Sequence, residues 1–455
     1  MYKKLRYFFR FSQALLSKYY WGIIIGLVIS VLLYVTVPRL LPTLIRFNTH
    51  RRIGIIGRYS LPDLPPSIQQ KVSIGLTSLD PSGLPSPGIA SFWQATDSGR
   101  TYIFTLNTNL KWQDGTPLKS QDIKYSFQDA SVEYPDSSRL IIRLKDPFSP
   151  LPAVVSRPVL KISKSLIRIL PSRYIGLGSY KIHGFKKNGP YLTSVTLVPA
   201  SVNSPLPPLT YNIFSSHQQA RTALKLGLVD ELEDLIEPGD LSSWPDLEVL
   251  PHISWDRYVG VFFNTQDPFF SGPSGRNLRL SLAYAADKDR WENRAYGPLP
   301  PVSWAYYPDL KKYTYDLPRA QELLSKVEKL PDNLVLSTVP TYLPEAEQLK
   351  KDWEQLGIKV SIQVTPDIPD EFQALLVAQA VPSDPDQYNL WHSTKDDTNL
   401  TNLKNPRIDK LLEDGRKIID LRERLAIYQD FQKFLLDEAP AIFLYYPQSY
   451  LISRK

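Results

Sequence analysis

The clearest hydrophobic pattern lies in the C-terminal half of the chain, where segments with helical and strand periods alternate. After Pro318, apolar residues recur at the helical spacing i, i+3, i+4, i+7, and LVLST at 334–338 is an apolar run typical of a strand. A second helical stripe follows Pro344 and stops before Gly357, and residues 358–364 then alternate with period two. This strand–helix–strand order predicts an α/β layer, followed by helices at 406–419 and 421–436 and a strand, AIFLYY, at 441–446.

The first half is less regular but also mixes strands and helices. TYIFTL at 101–106 alternates like a strand, and residues 111–127 predict a strand, an Asp114-Gly115 turn and a short helix that begins at Ser120. Further strands are predicted at 191–198 and 259–263. We therefore expect an α/β or α+β fold with at least two lobes.

One hydrophobic segment lies outside this pattern. Residues 21–37, WGIIIGLVISVLLYVTV, carry no charge, and as a helix they would span about 25 Å of a ~30 Å hydrocarbon core. Aromatic residues at both ends suit a membrane interface, and no small-residue cleavage site follows. We interpret the segment as an uncleaved signal-anchor, with a cleaved signal or a buried helix as alternatives. Five basic residues on either side, in 1–20 and 39–58, leave its orientation open.

The charge distribution supports a membrane partner over nucleic acid. The chain has a net charge of +7, yet residues 1–62 hold ten Lys or Arg and no acid, which leaves 43 basic against 46 acidic residues beyond them. We expect residues 39–62 to form a basic stalk along anionic headgroups. The absence of cysteine excludes disulfides, thiolate metal sites and lipidated cysteine, and the five histidines show no metal-ligand spacing. We expect no cofactor and no metal.

Several blocks resemble the family 5 solute-binding proteins of ABC transporters, the oligopeptide- and dipeptide-binding type. The densest match is ASFWQATDSGRTYIFTLNTNLKWQDGTPLKSQDIKYSF at 90–127. Similar blocks follow in the family's order at 175–185, 223–235, 259–291, 384–393 and 405–417, and LTSLDPSGLPSPGIA at 76–90 precedes them. The resemblance covers roughly residues 70–446.

This resemblance implies a two-lobed periplasmic-binding-protein-like α/β fold of type II, with the family's extra subdomain and one N-terminal transmembrane helix before it. The expected division is a cytoplasmic tail (1–20), anchor (21–38), stalk (39–62), lobe I (63–250, with the extra subdomain at about 63–165), lobe II (251–436) and a return to lobe I (437–455). On the family's pattern, the strand at 441–446 would lie with residues 166–250. A monomer outside the cytoplasmic membrane is implied, which captures an oligopeptide or other small solute for an ABC permease and ATPase.

The segment QAVPSDPDQYNLWHS at 379–393 is the best candidate for a ligand-binding wall. Tyr388 and Trp391 can stack on a planar solute, although Trp391 can equally belong to the core, and His392 and Asn389 offer hydrogen bonds. A second aromatic cluster contains Trp304, Tyr306 and Tyr307, and further candidates flank the expected crossing between the lobes, Tyr258 and Asn264.

One position departs from the family pattern. Peptide-binding members place an aspartate before the D-P-D-like run, where it pairs with the ligand's α-amino group, and Val381 occupies that position here. Because valine cannot neutralise an ammonium group, we hypothesise that the solute is not a free-amine peptide bound in that manner. A small gap in the alignment could instead give that role to Asp384, for which turn formation beside Pro385 is the other interpretation.

Two other functions are considered. A glycosidase-like hydrolase would need two carboxylates about 5–10 Å apart in a cleft, but most acids here lie on predicted helix faces or in turns. No G-x-S-x-G, H-E-x-x-H or Walker pattern occurs. We therefore expect no enzyme. A solute sensor or chaperone that takes no part in transport stays open.

Overall fold

A computed structural model describes residues 50–61, 63–163 and 173–455, together with Tyr20, Trp21 and Ser30. Within these residues, no helix combines the length and apolar composition needed to cross a membrane. Nearly all of the predicted anchor, 21–37, lies outside the described residues.

The strands, in chain order, are β1 (Arg51–Ile56), β2 (Thr77–Leu79), β3 (Pro85–Pro87), β4 (Ala90–Thr96), β5 (Thr101–Leu106), β6 (Ala130–Asp136), β7 (Arg139–Leu144), β8 (Lys161–Ser163), β9 (Arg173–Ile175), β10 (Tyr180–Asn188), β11 (Tyr191–Pro199), β12 (Leu209–Phe214), β13 (Glu231–Leu235), β14 (Leu247–Ile253), β15 (Arg257–Phe263), β16 (Leu334–Thr338), β17 (Val360–Val364), β18 (Ala374–Ala380), β19 (Ala441–Tyr445) and β20 (Gln448–Arg454). The helices of the described residues are α1 (Pro66–Val72), α2 (Leu151–Val154), α3 (His217–Lys225), α4 (Gly272–Ala285), α5 (Leu317–Leu324), α6 (Leu343–Glu354), α7 (Tyr388–Trp391), α8 (Pro406–Lys417) and α9 (Leu421–Glu438).

The three largest of the five sheets in the described residues define three bodies. Lobe I contains a seven-stranded sheet in the order β10-β11-β12-β1-β13-β20-β14, and lobe II contains a five-stranded sheet in the order β17-β16-β18-β15-β19. A four-stranded sheet, β4-β5-β7-β6, forms a small subdomain between β1 and β10 in sequence. The predicted strand TYIFTL is β5, and its alternating Tyr102, Phe104 and Leu106 are buried in the subdomain core.

Lobe II is a three-layer α/β/α sandwich. Helices α4, α5 and α6 cover one face of its sheet, while α8 and α9 cover the other. The predicted strand–helix–strand unit is β16-α6-β17, with β16 and β17 parallel as such a unit requires. The Asp420 side chain accepts the backbone N–H groups of Arg422 and Glu423, so it caps α9 as its sequence position predicts.

The stalk prediction is wrong for residues 51–56, which form β1 inside the lobe I sheet. This strand lies parallel between β12 and β13, and Ile53 and Ile55 are buried. Arg52 forms an ion pair with Asp230 at 2.6 Å instead of facing lipid headgroups. The basic residues misled the prediction because the acid that neutralises Arg52 lies 178 residues away.

The expected place of the strand at 441–446 is also wrong. This strand, β19, pairs antiparallel with β15 in the lobe II sheet, Val261 opposite Ile442. The chain returns to lobe I only with β20, which pairs with β13 and β14. Two connections therefore join the lobes side by side: Ser254 N–H donates to the carbonyl of Pro447 at 2.8 Å, and the rings of Trp255 and Tyr446 lie 5.0 Å apart.

Candidate functional site

The small subdomain contacts lobe II at the C-terminal end of α8. The Ser149 backbone N–H donates to the Arg416 carbonyl at 2.6 Å, and the Ser149 hydroxyl donates to the Gly415 carbonyl at 3.0 Å. These carbonyls belong to the last turn of the helix, where helical partners run out. A second contact joins the bodies nearby, because the backbone N–H of Trp304 donates to the carbonyl of Ser82 at 3.0 Å.

Beneath this interface lies a buried ion pair within lobe II. Arg424 on α9 donates to both carboxylate oxygens of Asp384, through Nη1 at 3.2 Å and Nη2 at 2.7 Å, and the two side chains are 6% and 8% exposed. Burial alone would lower the pKa of Arg424, but the Asp384 carboxylate and the Tyr428 hydroxyl together outweigh it, so that pKa is raised. Both oxygens of Asp384 are thus bonded to a guanidinium group of the protein itself.

A second carboxylate–guanidinium pair stands closer to the surface. Arg416 Nε donates to Asp386 Oδ2 at 2.9 Å and Oδ1 at 3.1 Å, while burial raises the pKa of Asp386 against the opposing effect of Arg416. The Arg416 guanidinium lies 3.9 Å from the centre of the Tyr388 ring and 5.3 Å from that of Phe148 in the subdomain. Arg416 therefore contacts an aromatic ring of each body, an arrangement favourable for cation–π attraction.

Beside Arg416, a cavity of about 600 Å³ opens between the subdomain and lobe II, and we call it the subdomain cavity. The subdomain contributes a largely apolar wall, which includes Phe127, Leu144, Phe148, Leu151 and Val154. Lobe II contributes Tyr388, Glu413, Arg416 and Lys417. Its volume and its position between two bodies match those of small-molecule sites, and its lining combines aromatic and aliphatic side chains with charged groups of both signs, among them Asp129, Lys145 and Asp146.

The structure places the ten predicted ligand residues in different parts of lobe II, some at the subdomain cavity and most in the core. Tyr388 lines the subdomain cavity, and the buried ring of His392 stacks on it with 4.0 Å between ring centres. His392 Nε2 has no hydrogen-bond partner among the described residues and lies 3.5 Å from Glu413 Oε1. Asn389 is exposed on the same short helix, α7.

Most of the others belong to the packed core between the lobe II sheet and α8–α9. Val381, Tyr258 and Trp391 are buried there, and Trp391 donates its indole N–H to Gln387 at 3.1 Å. Trp304 and Tyr306 pack against the same core from its edge. Of the two interpretations of Trp391, the structure therefore agrees with a core residue.

Asn264 does not lie at the crossing between the lobes. The crossing enters β15 at Arg257, and the strand runs away from it for seven residues, so that Asn264 lies beyond the far end. There its side-chain oxygen accepts hydrogen bonds from the Gln266 backbone and from Asn402 at 3.2 Å.

The sequence interpretation missed Arg416, Arg424 and the subdomain wall. The segment KLLEDGRK, 410–417, lies within the predicted helix 406–419, and its glycine carries a usable signal. A Cβ at Gly415 would lie 2.8 Å from the Tyr428 ring, so only glycine lets α8 approach α9 this closely. This approach brings Arg416 and Arg424 next to the two aspartates of the D-P-D run.

Two lobes joined by paired connections, with a cavity against a third body, define the periplasmic-binding-protein-like class of folds. The family described as bacterial extracellular solute-binding proteins, family 5 Middle, matches residues 85–401. The chain therefore belongs to the bacterial extracellular solute-binding proteins of family 5.

Individual relatives are distant but similar along most of their length. The probable D,D-dipeptide-binding periplasmic protein DdpA of Escherichia coli (strain K12) is 22% identical over an alignment of 416 positions, gaps included, that covers 78% of this chain and 78% of the relative. Among solved structures, NikZ of Campylobacter jejuni in complex with Ni(L-His) is 22% identical with a TM-score of 0.70, and AppA of Bacillus subtilis with a nonapeptide is 18% identical with a TM-score of 0.66. Each of these structural matches covers 89% of this chain and 94% of the other.

Proposed function

We propose that this protein is a membrane-anchored receptor outside the cytoplasm that binds a small solute and passes it to an ABC importer permease. The observation that carries the proposal is the subdomain cavity, because it lies between two bodies of a family 5 solute-binding fold. Family membership favours binding without chemical conversion over the glycosidase-like alternative. A sensor that binds solute without transport shares the same site.

The cavity offers a direct link between binding and closure. Its walls belong to different bodies, and the hydrogen bonds of Ser149 to the end of α8 form only when those bodies meet. A solute that contacts both walls therefore stabilises the closed arrangement by its differential affinity. A permease can recognise that arrangement.

The charges around the cavity bear on the kind of solute. Asp384 and Asp386 are already bonded to arginines, and Val381 is buried in the core. The D-P-D run therefore reserves no carboxylate for a free ammonium group, whereas the cavity itself is lined by Asp129, Asp146 and Glu413 as well as by aromatic and aliphatic side chains. The relatives bind solutes as different as a D,D-dipeptide, a nonapeptide and Ni(L-His), so family membership is compatible with peptide-like and other solutes.

Anchoring is proposed from the sequence. The uncharged segment 21–37 is long enough to serve as a signal-anchor, and the chain has no cysteine to carry a lipid. This arrangement would place residues 1–20 in the cytoplasm and the described fold outside, on a single-pass monomer.

Native mass spectrometry of the full chain, purified in mild detergent from its own cell, tests the receptor proposal. We expect a co-purified small molecule, and calorimetry with that molecule should show affinity reduced about tenfold or more in Phe127→Ala and Tyr388→Ala, since each removes aromatic contact worth about 1.4 kcal/mol. Lys410→Ala is the matched control because Lys410 lies on α8 but is exposed and outside the cavity.

Two outcomes would contradict the proposal at different levels. If both aromatic variants bind as tightly as Lys410→Ala, the solute does not occupy the subdomain cavity. If no molecule co-purifies and no peptide, sugar or metal complex raises the melting temperature, the protein is not a solute receptor.

A further inference from the structure

The lobe I fold begins with β1 at one end of the seven-stranded sheet. Strands β1, β12 and β13 are parallel and start at this end, β14 starts there beside them, and β11 and β20 finish there. Lobe II is attached at the opposite end, where Ile253 at the end of β14 pairs with Gln448 at the start of β20. The start of β1 therefore points away from lobe II.

Two loops at this end expose large apolar side chains. In the loop between β11 and β12, Val202 is 96% exposed and Leu206 is 38% exposed; between α3 and β13, Leu226 and Leu228 are 69% and 58% exposed. We call this end, with its loops 200–208 and 226–230, the anchor face. Single exposed apolar side chains are common on protein surfaces, whereas apolar side chains grouped on one part of a surface are a feature of interaction sites.

Both loops are bonded directly to the first residues of β1. Arg51 N–H donates to the carbonyl of Pro208 at 3.0 Å, and Asp230 N–H donates to the carbonyl of Arg52 at 2.7 Å. The Arg51 side chain is 65% exposed at the same place. The apolar loops and the exposed Arg51, whose guanidinium lies 3.9 Å from the Glu231 carboxylate, thus surround the residue at which the segment from the hydrophobic run 21–37 enters the fold.

We propose that the anchor face docks on the bilayer surface in which the chain is anchored, with its apolar loops among the lipid headgroups. This inference rests on the anchor proposed above. Only the thirteen residues 38–50 separate the uncharged run from β1, and even fully extended they reach about 45 Å. The tether keeps the anchor face near the membrane, so a weakly apolar surface is sufficient for docking.

Docking in this way sets the orientation of the whole receptor. Because lobe II joins lobe I at the end opposite the anchor face, the docked protein holds lobe II and the connections between the lobes on the side away from the bilayer. Solute is then captured from the surrounding medium, and delivery to a permease requires the anchor face to leave the lipid surface.

The absence of cysteine permits a direct test on the full chain. A spin label is placed at Leu228→Cys, or at the control Ile368→Cys, which lies in lobe II and is 50% exposed. Each protein is reconstituted into vesicles of phosphatidylglycerol and phosphatidylethanolamine. The ratio of label collisions with membrane-soluble oxygen to those with a water-soluble nickel chelate should be several-fold higher at residue 228 than at residue 368. The serine variant Leu226→Ser should lower the ratio at 228 and leave that at 368 unchanged.

The outcomes separate docking from anchoring. A chain that does not float with the vesicles in a density gradient overturns the anchor, and the docking with it. If the chain floats but both labels give the same low ratio of oxygen collisions to nickel-chelate collisions, as expected in water, the docking alone is overturned. A high ratio at 228 that Leu226→Ser fails to reduce also contradicts the assignment of these loops as the contact.

Discussion

The Asp384–Arg424 pair offers the most direct test of the site's geometry. Replacing Arg424 with methionine keeps much of the side-chain volume but removes the cation that bonds both oxygens of Asp384. Because the Asp384 side chain is only 8% exposed, its carboxylate is left buried and unpaired, which costs about 3–5 kcal/mol. Lost hydrogen bonds from Arg424 to the Gly415 carbonyl and the Tyr428 hydroxyl add about 1 kcal/mol each.

Urea unfolding followed by tryptophan fluorescence measures this loss as a double-mutant cycle. We expect Arg424→Met to be strongly destabilised and Asp384→Asn less so. The free energy of unfolding of the double variant should exceed, by about 2 kcal/mol or more, the value expected from adding the two single losses, because the double variant buries no charge. The control is Lys410→Met, whose partner Asp414 lies in an exposed pair worth about 1 kcal/mol or less. Additive single effects, or an Arg424→Met variant as stable as Lys410→Met, would refute the buried pair and the packing of α8 on α9 that it implies.

Three further predictions concern closure, helix packing and pH. Ser149→Ala removes one hydrogen bond between the subdomain and α8, so distances between fluorophores on the two bodies should report a closed-to-open ratio reduced about fivefold, while Ser156→Ala leaves that ratio unchanged. Gly415→Ala forces the Tyr428 ring to move, so net destabilisation of about 1–2 kcal/mol is expected in urea unfolding; a more stable variant would contradict the close packing. Burial raises the pKa of Glu233 to about 7, so the unfolded state binds fewer protons between pH 4.5 and 7 and stability falls as pH rises through that window. Glu233→Gln should therefore unfold at higher urea than the parent at pH 8 and at nearly equal urea at pH 4, and a constant difference would disprove the linkage.

What the sequence determined by itself is the local structure and the family. The alternation of β5, the β16-α6-β17 unit and the Asp420 cap depend on neighbours within a few residues, so their periods and spacings are visible in the chain. The density of motifs at 90–127 was likewise sufficient to predict the class of binding protein. The aromatic D-P-D segment stays a prediction of a ligand-binding wall, and the structure adds that its Tyr388 lines the subdomain cavity.

Only the tertiary structure decided which segments meet. Strand β1 belongs to lobe I because it pairs with β12 and β13 and because Arg52 forms an ion pair with Asp230. Strand β19 belongs to lobe II because it pairs with β15. The partners of Asp384 and Asp386 stand 40 and 30 residues away on two helices that a glycine lets pack closely. Such contacts carry no period along the chain, because they form between residues distant in sequence and depend on how whole elements pack. The pairing of charges, the subdomain cavity and the direction of the anchor face therefore emerge only from the fold.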